Sequence, residues 1–484
     1  TQMMIDGNRL VIASSIYYWS LPQESELREL MSEEVTVSYE NEVDGQLTYT
    51  YTRVQNLVKY TIVDISDRSS PSVEKELYIE GNYHTARLVN GTVRSVTHLW
   101  TNFDGIKTWV DLPSEYWAEE DMHERMDIWN ESMNETILEN ENVISKLSLK
   151  DFVPHIYEMT EDGIYQHPLT YENCTEFMAS SDSAGRGFTT IMTFQMLSEE
   201  ITLEVDHITS SWAHVYSSKD TLVLAEPAND WWWFWRNFDW DDATNIHVFD
   251  ISDPSETTYL ASGRVDGTVQ DQFSISEFNE VIRVATTEDA WGRWWLEGTD
   301  EWTGPTNNVF TLAVAECMIP EGCDEGTTEL VQIGHVGGIA PDERIWSARF
   351  VGNRAYLVTF EIIDPPWVID LSDPTDPVIL GELEVPGVST YIHPVDSDTL
   401  LTIGIGPGLD GLGLDWSMTQ VSLFDVSDTS NPTLSDTLPL TPAYADENCE
   451  DIMICGWSWS YSEATYEHKA FTFWAPESLL AVPL

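Results

Sequence analysis

Positive charge is what this sequence has least of. Twenty-two Lys and Arg stand against 83 Asp and Glu, a formal net charge of −61 over 484 residues. No surface of such a chain supplies the cations that neutralise phosphates, so nucleic acid is excluded as a partner. Long apolar runs are also missing. None reaches the ~18–20 residues that a membrane-spanning helix requires. The opening TQMMIDGNRL reads as a strand and not as an export signal. The signatures of common catalysts are absent too: no HExxH, no closely spaced His pair, no GxSxG elbow, no phosphate-cradling P-loop and no dinucleotide fingerprint. Carboxylate pairs for glycoside hydrolysis carry no signal here, because so many acids always include neighbours and sequence gives no distances.

Cysteine is sparse but patterned. Cys317 and Cys323 bracket CMIPEGC, Cys449 and Cys455 bracket CEDIMIC, and Cys174 is left over. Two short loop-stapling disulfides suit an exported protein, with reduced thiols as the alternative. The spacing does not suit zinc.

What is present is a repeat. VDISDRSSPSVEKEL from Val63, FDISDPSETTYLASG from Phe249, IDLSDPTDPVILGEL from Ile369 and FDVSDTSNPTLSDTL from Phe424 share apolar-Asp-apolar-Ser-Asp, then a turn, then another apolar run. Paired strands stand in front, as in ARFVGNRAYLVTF around its Gly-Asn turn. The unit is a four-strand meander, a-b-c-d. The Asp and Ser after strand c hydrogen-bond nearby backbone amides and set the c–d turn.

Repeated four-stranded antiparallel sheets predict an all-β fold, a β-propeller. Its blades fall at about 1–81, 83–208, 212–267, 270–338, 344–387 and 389–440. Residues 461–484 read as strands a and b of an incomplete seventh, with His468 in a strand. The whole is read as a single propeller domain. Residues 101–187 form a mainly helical acidic insertion in blade two. There Trp117, Met122, Met126, Trp129 and Met133 recur as an apolar stripe, expected to dock on its own domain.

The run from GRVDGTVQDQFSISEFNEVIRVATT through IGHVGGIAPDERIWSARFVGNRAYLVTFEIIDPPWVIDLSDPTDPVILGELEVPGVSTYIHPV to VSLFDVSD and YSEATYEHKAF resembles a secreted β-propeller family of bacteria and archaea. That family is distantly similar to WD-repeat propellers. The resemblance implies a propeller in an extracytoplasmic or cell-surface setting, and it brings no reaction with it. The Trp-rich loops depart from the family's pattern.

Antiparallel connectivity sorts the loops between two sides of each sheet. The a–b and c–d turns, such as VGNR and SDPTDP, are short. The long segments are b–c or d–a connections. Trp231, Trp232, Trp233, Phe234, Trp235 and Trp240 lie in the b–c loop of blade three, and Trp291, Trp294, Trp295 and Trp302 in that of blade four. Trp457 and Trp459 lie in a d–a crossover. Together they form a candidate aromatic binding face for a protein or glycan partner, self-association included; a loop mini-core is the plainer reading. For metal, 238-FDWDDATN-245 and 408-GLDGLGLDWS-417 offer Asp239, Asp241, Asp242, Asp410 and Asp415 as Ca²⁺ ligands, against solvated acidic turns.

The expected activity is therefore binding or assembly without catalysis. A glycan hydrolase and a calcium-dependent adhesin are the alternatives. The acid excess itself fits either a high-salt setting or bound divalent cations. Screening shortens from about 10 Å at 0.1 M salt to about 3 Å at 1 M, so the melting temperature is expected to rise across that range. A fall on adding chelator at constant ionic strength would instead assign the effect to bound cations.

Overall fold

A computed structural model describes residues 2–41, 45–101, 105–107, 109–170, 176–179, 187–198, 202–228, 242–288, 304–316, 328–360, 366–383, 387–407, 413–440 and 460–484. The chain forms two compact units. The first holds Thr1–Trp212 with Asp253–Thr257, and the second holds Ala213–Ser252 with Thr258–Leu484.

In the first unit, sheet one orders Gln2–Asp6, Arg9–Ile16, Leu57–Asp64 and Ser72–Glu80 as strands a to d. Sheet two orders Asn82–Val89, Thr92–Trp100, Gly187–Gln195 and Leu203–Ser210 in the same way. The second unit repeats the meander in four further sheets. Sheet three is His214–Ser217, Thr221–Pro227, Ala243–Asp250 and Thr258–Asp266; sheet four is Ile275–Phe278, Val281–Glu288, Thr306–Glu316 and Thr328–Ile339. Sheet five is Arg344–Val351, Arg354–Phe360, Pro366–Asp370 and Val378–Glu382; sheet six is Val388–Pro394, Thr399–Pro407, Leu414–Asp425 and Thr433–Leu440. The strands fall where the alternating apolar pattern predicts them.

The repeated Asp does what its position demands. Asp64, Asp250, Asp370 and Asp425 each accept the backbone N–H two residues on, at 2.7–2.9 Å. Asp67, Asp253, Asp373 and Asp428 do the same one step later, at 2.8–3.1 Å. These two nested turns replace the ladder bonds that end with strand c. Just before the first Asp of each pair the c–d register slips, between Ile62 and Val63, Val248 and Phe249, Val368 and Ile369, and Leu423 and Phe424. That bulge adds local twist where the strand gives way to the turn.

Turns of this kind and others serve as docking points for the preceding sheet within a unit. Arg9 donates to the carbonyls of Met196 and Ser198 at 2.7 and 2.8 Å, in the c–d turn of sheet two. Arg354 reaches Ser397 and Val426 in turns of sheet six. Arg283, buried in sheet four, donates to Gly352 in a turn of sheet five, and Thr311 donates to the Pro374 carbonyl. Apolar cores fill the space between sheets. Val58, Tyr60, Met192 and Phe194 pack together in the first unit; Val223, Ile246, Val284 and Phe310 do so in the second.

Three expectations change. Residues 461–484 do not make blade-length strands. They form single turns at Glu463–Thr465 and His468–Ala470, which puts His468 outside any strand, and a hairpin of Thr472–Trp474 with Leu479–Ala481. Phe471 there packs on Ile403 and Val421 of sheet six, and Ser460 bonds the main chain of Ser417 and Thr419. The short 3₁₀ turns follow from Ser462 and Glu467, whose side chains cap the next amides.

Second, residues 317–327 separate strands c and d of sheet four, so the c–d connections are not uniformly short. Third, the insertion's helices, Ser114–Ala118 and Met122–Ile144 with its Asp121 cap, leave Trp117, Met122 and Met126 exposed, with only Trp129 and Met133 of the stripe half-buried. The insertion also returns Ile156–Thr160 and Gly163–Gln166 to the outer edge of sheet one, covering strand Ser72–Glu80. His155 clasps that return, its N–H and Nδ1 meeting Glu80 Oε2 at 3.0 and 2.8 Å.

A Cβ on Gly334 would stand 2.2 Å from the Pro374 carbonyl oxygen. Gly334→Ala is therefore expected to cost about 1–3 kcal/mol, read as a lower denaturant midpoint at unchanged slope. An unchanged midpoint would show that the Pro374 turn is not held against sheet four.

Candidate functional site

Trp231, Trp232, Trp233, Phe234, Trp235, Trp240, Trp291, Trp294, Trp295, Trp302, Trp457 and Trp459 lie outside the described residues, as do Asp239, Asp241, Asp410, Cys174, Cys317, Cys323, Cys449 and Cys455. Of the named metal candidates, Asp242 and Asp415 are described. The Asp242 carbonyl accepts the Gly267 N–H at 2.6 Å. Asp415 Oδ1 takes the N–H of Ser417 at 2.9 Å and its hydroxyl at 2.5 Å. No group of three or more metal-ligating side chains converges among the described residues.

Exposed aromatic residues also stand at b–c and d–a connections, or at the strand ends beside them, among the described residues. In the first unit, Trp19 stands in the b–c connection of sheet one, 76% exposed, edge-on to Tyr18 at 4.8 Å. Arg28 covers the Tyr18 ring at 4.4 Å. Trp100 ends strand b of sheet two, and Trp212 follows its strand d. His84 stacks on Trp212 at 4.5 Å, while His98 meets Trp100 at 4.5 Å and Trp212 at 5.6 Å, both edge-on. His98 is held by Thr189 Oγ1 at 3.0 Å, and Thr189 in turn by Ser210 at 2.6 Å. Only glycine fits at 187, because a Cβ would lie 2.7 Å from His98 Nε2.

In the second unit, Trp346 near the start of sheet five and Trp416 near the start of strand c of sheet six lie 6.1 Å apart. Phe360 packs edge-on to Trp346 at 5.9 Å, and Arg344 covers it at 5.2 Å. The Asp415 turn sets Trp416 outward, 67% exposed. Trp109 and Trp117 of the insertion are exposed as well. Among the described residues, Trp474 of the C-terminal hairpin is the exposed tryptophan that lies elsewhere.

Among the described residues, two buried sets of titratable groups resemble catalytic arrangements. Ser262 Oγ lies 2.6 Å from His247 Nδ1, and His247 Nε2 lies 3.3 Å from Glu226 Oε1. This has the order of a nucleophile relay. However, Glu226 is fully buried and Tyr259 donates to Ser262, while the strand ladders take up nearby amides that an oxyanion would need. Glu204 and Asp206 are hydrogen-bonded to each other, too close to frame a glycosidic bond between them. These residues carried no sequence signal, since each looks like one more polar side chain in a strand.

A family model described as a beta propeller domain matches residues 1–484. The chain belongs to that family. Two archaeal relatives, both described only as uncharacterized proteins, share part of it. One from Methanocaldococcus jannaschii is 33% identical over 216 residues, 44% of this chain and 29% of its own. Another, from Archaeoglobus fulgidus, is 34% identical over 207 residues, 42% and 27% respectively. The matched stretch thus spans less than a third of either relative's length. Two variants of Synechocystis apocarotenoid oxygenase align at 12% identity with a TM-score of 0.30, over 60% and 52% of this chain and 58% and 56% of theirs. At that score the likeness bears on neither fold nor activity.

Burial pushes the His98 imidazole down to about 4, helped by neighbouring His84. With its folded value below the ordinary ~6.5, the imidazole stays neutral in the fold, and its contribution to stability is lost as pH falls from about 6.5 towards 4. An NMR titration of His98 is expected to stay flat above about pH 5; a midpoint near 6.5 would show that the ring is solvated.

Proposed function

We propose that this β-propeller is an exported, non-catalytic binding or assembly module, taking a protein or glycan partner on the aromatic side of its sheets. The observation that carries the reading is the concentration of exposed tryptophan on the b–c and d–a connections. Trp19, Trp109, Trp117 and Trp212 lie there in the first unit, with Trp100 at the strand end beside such a connection, and Trp416 stands near a strand start in the second. Isolated apolar residues are ordinary on any surface, but a concentration of tryptophan at such connections matches the composition of interface hot spots. Rings fixed by neighbours, as Trp416 is by Trp346 and the Asp415 turn, lose little freedom on binding. Export is supported by the resemblance to secreted propellers and by a charge balance that suits a screened surrounding.

Light scattering behind size exclusion at about 1 M salt comes first, comparing the wild type with Trp416→Ala and Trp19→Ala. A wild-type mass well above 55.0 kDa that falls to the monomer in the variants would identify the partner as the chain itself. For a monomer, glycan and protein titrations followed by tryptophan fluorescence are expected to reveal binding weakened about thirtyfold by either substitution, equivalent to about 2 kcal/mol. Masses and affinities unmoved by both substitutions would overturn the reading.

A further inference from the structure

The Asp253–Thr257 turn belongs to the first unit, although the strands on either side of it belong to the second. Its main chain is gripped from sheet two. Arg94 donates to the carbonyls of Asp253 and Glu256, and Thr92 Oγ1 to that of Pro254 at 3.0 Å. Thr193 Oγ1 meets Thr257 Oγ1 at 2.9 Å. Next to this grip lies Glu204. Its carboxyl accepts the Thr257 N–H and the Thr193 hydroxyl, and shares a hydrogen bond with Asp206. Asp206 is buried, 8% exposed, and its Oδ2 has no hydrogen-bond partner among the described residues. Two carboxyl groups joined by a hydrogen bond need a proton between them.

We propose that the Asp206–Glu204 carboxyl pair is a proton-operated latch on this turn: the shared proton keeps Glu204 on the Thr257 amide, and its loss releases the turn.

The surroundings leave few ways to accommodate a second negative charge. Glu176 faces the pair from the segment beside strand Leu203–Ser210, and Glu256 from the turn itself. Arg94 is the guanidinium within reach. Strand Gly187–Gln195 contributes the Thr193 hydroxyl, and Asp253 is already committed to Ser255 at 2.8 and 2.6 Å. His207, bonded to Thr190 at 2.9 Å, is held neutral by burial. When the proton leaves for bulk water, two anions remain at hydrogen-bond distance in a dry site, with Glu176 and Glu256 adding repulsion. Opening the turn admits water to both.

Burial, followed by the Glu204 charge, pushes Asp206 up to about 9 in the closed state. In the open state the ordinary carboxylate value of ~4 returns. The closed state therefore holds a proton that the open state has lost. Closure is strongest below about pH 4, weakens as pH rises towards 9 and levels off above that. A single-proton latch makes the opening equilibrium rise about tenfold per pH unit inside that window.

Hydrogen–deuterium exchange on residues 251–260, expressed as protection factors so that intrinsic exchange is divided out, reads this directly. Between pH 6 and 9 protection in the wild type is expected to fall about tenfold per unit. Asp206→Asn keeps a donor for Glu204 but cannot ionise, so its protection is expected to stay level. Glu256→Gln leaves the pair intact, and its protection is expected to stop falling at a lower pH. Flat wild-type protection, or an Asp206→Asn profile falling in parallel with it, would overturn the proposal. Should Asp206→Asn fail to fold, a Glu256→Gln curve superimposing on the wild type would do so.

Discussion

The stacking of sheets within each unit depends on a guanidinium or hydroxyl reaching the main-chain carbonyls of the next sheet's turn. Arg9, Arg283 and Arg354 all make that contact, as does Thr311. At Pro374 and Val426 the nested aspartate turns make it available. By satisfying their own amides with Asp oxygens they leave the carbonyls pointing outward in a fixed array. A turn carbonyl is a neutral acceptor, so the guanidinium keeps most of its charge to act on nearby carboxylates. In a chain with so few cations, that places positive charge at the seams between sheets.

Close main-chain approach is the steric side of the same device. Gly334 lies against the Pro374 carbonyl, and a Cβ on Gly381 would stand 2.8 Å from that of Ser430. Polar side chains inside the sheets are satisfied in the same economical way: Thr286 donates to the Asp266 carbonyl, and Asn307 to those of Ile339 and Glu343. Such bonds fix where one strand ends and the next sheet begins, because an unpaired polar group there would cost about 1–3 kcal/mol. The Glu204–Asp206 pair extends this logic to a proton.

The rigid ends of the sheets then support the aromatic side. Trp212 is clamped between two histidines and Trp416 is presented by the Asp415 turn. In both places the scaffold orders the ring while leaving one edge or face in solvent, the condition under which aromatic side chains serve recognition. Acidic surroundings favour partners that are neutral or cationic. The insertion adds the exposed Trp109 and Trp117, and its return strands are tied to sheet one through Glu80, His155 and Tyr157.

The four-strand meander and the position of the repeated Asp were both legible in the sequence, because each rests on local chemistry. Alternation of apolar residues sets strands, and an Asp side chain reaches amides only two or three residues away. The 461–484 segment misled, since its alternating aromatic pattern serves packing onto sheet six and not strand pairing. The Arg clasps and the His98 stack join residues up to 189 positions apart in the chain, and folding alone buries the Glu204–Asp206 pair. Sequence by itself determined the periodic architecture, whose rules act within a few residues. Only tertiary structure decided which buried charges meet, because desolvation and hydrogen bonding depend on neighbours that folding alone brings together.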